Sequence, residues 1–191
     1  MKRVLLLAVV GLMLAFPARA AELEGVTLPD QQRIGRTELQ LNGIALRTYS
    51  FLQVPIYVAG LYLVRPDSDP ARILRSPDMK LLDIRFLRDV SRTRAQAAWR
   101  EGFARNCGPP CELSPADVER FLAAVPAMHK GEQFSILFTA QGAEITAGGR
   151  LIGRIANSHF ATIMLATFIG PHPPTPRLKR ELLGAHLQSS R

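Results

Sequence analysis

Aromatic residues make up only 7% of this 191-residue chain, which has just two cysteines and one tryptophan. So few cysteines exclude a disulfide-framed mini-domain. So few aromatics, with arginines scattered rather than blocked, exclude the stacking and phosphate-binding surfaces of nucleic-acid modules. Catalytic signatures are missing too. There is no G-x-S-x-G, no H-E-x-x-H, no phosphate loop and no G-x-G-x-x-G, which removes the common nucleophile-elbow, zincin and nucleotide-binding chemistries. After residue 20 no apolar run approaches the length of a membrane span.

What is present begins with a leader pattern. Lys2 and Arg3 precede an apolar run from Val4 to Phe16, followed by Pro17 and Ala18-Arg19-Ala20. This is a positive n-region, an h-region and an A-x-A site, and it predicts cleavage after Ala20 and export to the periplasm. Loss of Lys2, Arg3 and Arg19 lowers the formal charge from +8 to +5, and no basic amphipathic helix marks a membrane-surface role. With 47% apolar residues, residues 21–191 suit one domain with a full core.

The organising stretch runs from Leu39 to Val64. Asn42-Gly43 separates Leu39 and Leu41 from Ile44 and Leu46, a pattern that predicts a tight hairpin. From Pro55 to Val64 both alternating faces are apolar, so this strand is covered on both sides. Arg47 falls beside it. A guanidinium buried there needs an anionic or hydrogen-bonding partner; alternatively, its stem lies on an edge strand while its head reaches water.

Short strands are expected at 26–28 and 32–35, a helix capped by Asp69-Pro70, and a strand from Lys80 to Phe86. From Ser91 the period becomes helical, with Ala95, Ala98, Trp99, Gly102 and Phe103 on one stripe and Thr93 with Gln96 as a capping box. Ser114-Pro115 opens a second helix. A three-strand meander follows between Gln133 and Ile155. Asn157 then caps a helix striped by Phe160, Ile163, Met164 and Thr167, and Thr175-Pro176 opens the last helix before a frayed tail. Sheet, helices, sheet, helices is an α+β order, with a large, mostly antiparallel sheet covered by helices.

Polar residues in apolar settings are the site candidates. Thr167 lies on the Phe160 stripe, where its hydroxyl either faces what the helix covers or bonds back one turn. Tyr57 shares a face with Ala59 and Leu61, where a phenol can present its hydroxyl to a cavity. With Arg47 they make a site for a carboxylate or a polarised carbonyl. The four histidines, His129, His159, His172 and His186, show no ligand spacing. Cys107 and Cys111 lie in CGPPC, where a local disulfide staple is favoured over redox chemistry because the spacing is not C-x-x-C. No nearby histidine suggests a metal, and no cofactor is implied.

Two blocks resemble the chalcone isomerase-like family: an arginine leading into VPIYVAGLYLV, and NSHFATIMLATFIGPHPPTPRLKRELLG from Asn157 to Gly184. The resemblance implies an open-faced β-sandwich with a ligand cleft between a large antiparallel sheet and helices. In the plant enzymes that cyclise chalcones, Arg47 and Thr167 match two of the five polar site residues. Tyr57 stands where the enzymes have a threonine, and the segment 91–103 lacks their tyrosine and asparagine. In the non-catalytic branch, which binds fatty acids, Arg47 and Tyr57 are similar to the pair holding the carboxylate. Three functions are therefore expected in descending order. The first is an exported, non-catalytic binder of a fatty acid or similar amphiphilic carboxylate, with Arg47, Tyr57, Thr167, Phe160 and Met164 around the ligand. The second is a scaffold protein whose cleft is filled. The third is an intramolecular lyase using Arg47 and Thr167.

Overall fold

The computed structural model describes residues 20–49 and 52–185, so most of the leader and the tail with His186 lie outside the described residues. The elements follow the chain as β1 (Ala20–Leu23), β2 (Val26–Pro29), β3 (Gln31–Ile34), β4 (Thr37–Tyr49), β5 (Val54–Leu63), α1 (Pro70–Arg75) and β6 (Lys80–Phe86). After these come α2 (Arg92–Asn106), α3 (Pro115–Ala124), β7 (Gln133–Thr139), β8 (Gly142–Ala147), β9 (Arg150–Ile155), α4 (Ser158–Ile169) and α5 (Pro176–Leu182). Strands β3 to β9 form one seven-stranded sheet in chain order, and every pairing in it is antiparallel. The sheet curls beneath the helices. This is the α+β, chalcone isomerase-like architecture expected of the sequence.

The predicted hairpin at Asn42-Gly43 does not form. Strand β4 continues through both residues, and its pairing with β5 shifts register between Leu41 and Gly43, leaving Asn42 as the extra residue of a bulge. A type I′ turn needs positive φ at both central positions, and neither residue has it; Glu24 and Gly25, between β1 and β2, do, at 52° and 73°. The bulge produces the change of alternation that suggested a turn. Leu39, Leu41, Ile44 and Leu46 all lie on the sheet face away from the helices, while Ala45 and Arg47 move to the helix face.

Gly43 also admits α5. A Cβ there would lie 2.1 Å from the Glu181 carbonyl oxygen and 2.6 Å from that of Leu182, so only glycine lets the helix backbone reach the strand. The Asn42 amide donates to the Leu182 carbonyl at 2.9 Å, and its oxygen accepts the Asp67 N–H at 2.8 Å.

The β1–β2 ribbon covers the opposite face of the sheet. Leu28 packs on Ile44, Leu46 and Val58, and the buried Tyr62 donates its hydroxyl to the Pro29 carbonyl at 3.0 Å. The covered central strand thus has the structure its two apolar faces require. Helix α4 exceeds its predicted stripe: nine of its twelve residues are buried, because α1, α2 and α5 pack on the sides that the sheet leaves free.

Helix α2 is capped by Ser91, whose hydroxyl accepts the Arg94 N–H. The Thr93–Gln96 box is a correction: Thr93 already lies inside the helix, and the Gln96 amide donates to the Leu122 carbonyl of α3 at 2.8 Å. Asp69, Ser114, Asn157 and Thr175 cap the other helices as their sequence positions suggested. No helix among the described residues is long and apolar enough to cross a membrane.

Candidate functional site

Arg47 and Tyr57 are directly opposite one another on β4 and β5, so they share a face, and the bulge makes it the helix face. Both line a cavity of about 700 Å³ between the sheet and α2, within the size range of small-molecule sites. Ala95, Ala98, Trp99 and Gly102 border the cavity, and Trp99 with Phe103 also carries the packing through ring contacts of 5.0 to 5.7 Å with each other and Phe121. What the sequence suggested was a packing stripe is therefore mostly cavity wall, with Phe103 alone of its five residues away from the cavity. Ile84, Phe86 and Phe134 form the apolar floor.

The Arg47 guanidinium donates to the carbonyl of Thr48. The Tyr57 ring meets Phe86 edge-on at 5.7 Å, and its hydroxyl makes no hydrogen bond among the described residues. Burial pushes the Tyr57 phenol up to about 12, with the nearby Arg47 charge acting in the opposite direction. It therefore remains a proton donor at any physiological pH. Around the rim stand Arg88, Arg94 and Arg105 with Asp89 and Glu101. Arg105 is paired with Glu101 at 3.2 Å, and Asp89 accepts the Lys130 N–H at 2.8 Å. Four arginines against two carboxylates leave the site cationic.

Thr167 also borders the cavity, but its hydroxyl hydrogen goes to the Met164 carbonyl at 2.7 Å, and its methyl lies against Gly102. Phe160 and Met164 are corrections: neither reaches the cavity. Both are fully buried, with Phe160 packed 5.2 Å from Phe103 and 6.2 Å from Phe121. The helical stripe located the buried side of α4 but could not separate core from cavity wall. Arg88 and Arg94 were missed because rim residues carry no apolar periodicity.

Cys107 and Cys111 are joined in a disulfide, Cα to Cα 5.0 Å. The expectation that no histidine stands near them is corrected: His159 Nε2 lies 3.4 Å from Cys111 Sγ. Chain spacing hid this, because the start of α4 folds back onto the end of α2.

The family described as chalcone isomerase-like matches residues 20–184. Among solved structures, a fatty-acid binding protein of Arabidopsis thaliana is similar with a TM-score of 0.69 at 11% identity, over 87% of this chain and 97% of that one; at that identity the likeness establishes the fold alone. No curated protein matches by sequence.

Proposed function

The chain belongs to the chalcone isomerase-like family, and from that premise we propose that it is a non-catalytic protein that binds a fatty acid or similar amphiphilic carboxylate. The observation that carries the proposal is the direct opposition of Arg47 and Tyr57 in a cavity with an apolar floor and a cationic rim. A guanidinium and a neutral phenol offer a carboxylate charge-assisted and neutral hydrogen bonds, and the apolar floor accepts an acyl chain. The similar Arabidopsis protein is named for binding fatty acids, which agrees with this chemistry. An isomerase would call on Arg47 with Thr167, and the engagement of the Thr167 hydroxyl with Met164 favours binding over turnover. The leader pattern supports the remaining part of the proposal, a periplasmic location.

Extraction of small molecules from the purified mature protein, followed by mass spectrometry, tests the reading with Arg47→Gln in parallel. The expected result is an amphiphilic carboxylate in the wild type and far less in the variant. Wild-type protein that carries none and binds no added fatty acid would overturn it, and turnover of a chalcone would overturn its non-catalytic part.

A further inference from the structure

Helix α2 ends at Asn106, and Cys107 caps it, donating its N–H to the Phe103 carbonyl at 2.9 Å. The turn through Gly108, Pro109 and Pro110 then returns Cys111 beside Cys107, with the Cys111 N–H donating to the Gly108 carbonyl at 2.9 Å. His159, in the first turn of α4, closes the group. The two sulfurs and the imidazole nitrogen all lie within 4.8 Å of one another. Both cysteines are partly exposed and His159 is exposed, so solvent and small reductants reach them. None of the three lines the cavity.

In the disulfide the imidazole has little to do, because sulfur is a weak hydrogen-bond acceptor. In the dithiol its position changes meaning. Ligands of one tetrahedral zinc, at about 2.3 Å for sulfur and about 2.0 Å for nitrogen, stand about 3.5 Å apart. Cys111 Sγ and His159 Nε2 already have that spacing, at 3.4 Å, and only Cys107 Sγ has to withdraw, by rotation of its side chain, once the bond is broken. We propose that Cys107, Cys111 and His159 form a redox-gated site for a thiophilic d10 cation of the Zn2+ type. The site is closed to metal as the disulfide and open to it as the dithiol.

The steps balance with a dithiol as co-reactant. Two electrons and two protons pass from that donor to the Cys107–Cys111 bond, leaving two thiols here and a disulfide in the donor. The cation then replaces both thiol protons, which go to solvent, while neutral His159 supplies the nitrogen. Two thiolates and an imidazole select against Mg2+ and Ca2+, which require oxygen ligands, and the fourth position remains for water. The inference is independent of the carboxylate proposal.

The test uses the whole mature chain, oxidised or reduced with a phosphine and desalted anaerobically, dialysed against Zn2+ alone and analysed for bound metal. One Zn2+ per reduced chain and none per oxidised chain is expected. Cys111→Ser should take none under either condition. His159→Asn, at an exposed position, should bind at least tenfold more weakly, with near-ultraviolet circular dichroism of the Trp99 cluster unchanged. The short loop means reduction removes little chain constraint, so the reduced chain should keep that spectrum too. The proposal is overturned by equal zinc in oxidised and reduced chains, by undiminished affinity in His159→Asn, or by unfolding of the chain on reduction.

Discussion

At one end of the β4–β5 ribbon, α5 is seated on Gly43, and Asn42 joins the Leu182 carbonyl to the Asp67 N–H. The buried Glu181 carboxylate there accepts from the Leu46 N–H and from Arg177. At the other end, a few residues along the same strands, a cavity separates α2 from the sheet, and Arg47 and Tyr57 line it. Both ends are polar groups under helices. The first resolves its polarity inside the protein, as a buried polar group must, and the second leaves hydrogen-bonding capacity turned toward a cavity. The difference separates a joint that holds the fold from the site proposed for a ligand.

Substitution at the joint should break the fold first. Gly43→Val requires the α5 backbone to move away from β4, and overpacking against backbone atoms that cannot yield should cost about 3 kcal/mol or more in urea denaturation. Asn42→Ala deletes both bridging bonds and leaves the buried Leu182 carbonyl and the half-buried Asp67 N–H unpaired, a loss of about 2 kcal/mol. If either variant instead lost ligand with unchanged stability, the assignment of this end to structure would be wrong.

Arg47→Gln should do the reverse. Among the described residues the half-buried guanidinium reaches only the Thr48 carbonyl in its own strand, so stability should shift by no more than about 0.5 kcal/mol. Loss of a hydrogen bond to a charged group, about 1.5–3 kcal/mol, should weaken fatty-acid binding about 10- to 100-fold in a fluorescence displacement titration. Unchanged affinity would move the carboxylate elsewhere, with the rim arginines Arg88 and Arg94 next in line.

How much of this was legible follows from the same two ends. The strand from Pro55, its two covered faces, the caps of α1, α3, α4 and α5 and the meander were readable because each is set by neighbours close in sequence. The Asn42-Gly43 pair was read as a turn because the local pattern of a bulge and of a hairpin is the same change of alternation. What distinguishes them is α5, more than a hundred residues away in the chain. Tyr57 and Arg47 were identifiable as polar residues out of place, yet their opposition rests on that same bulge. Phe160 and Met164 were assigned to the ligand since periodicity marks a buried face without saying what buries it. His159 beside Cys111 was invisible for the corresponding reason, being a contact between the ends of two helices.

Tyr57→Phe offers the finest cut, because it removes one oxygen and nothing else. If the hydroxyl is kept for a ligand, its loss should weaken carboxylate binding about fivefold, the effect of a hydrogen bond of about 1 kcal/mol. Stability at neutral pH should not fall, since that hydroxyl has no hydrogen bond among the described residues to lose. Alkaline denaturation supplies a second, independent reading. The Tyr57 phenol is raised from 10.0 to about 12 in the folded chain, so the folded state keeps the proton that the unfolded chain gives up near 10. Its contribution is therefore intact below pH 10 and is lost as pH climbs through 12. Tyr62, also raised to about 12 by burial, should keep part of that fall in the variant, and the wild type should show the steeper decline over this interval. A Tyr57→Phe chain that is less stable at pH 7 would make the phenol a structural group like Asn42, and the contrast between the two ends of the ribbon would no longer hold.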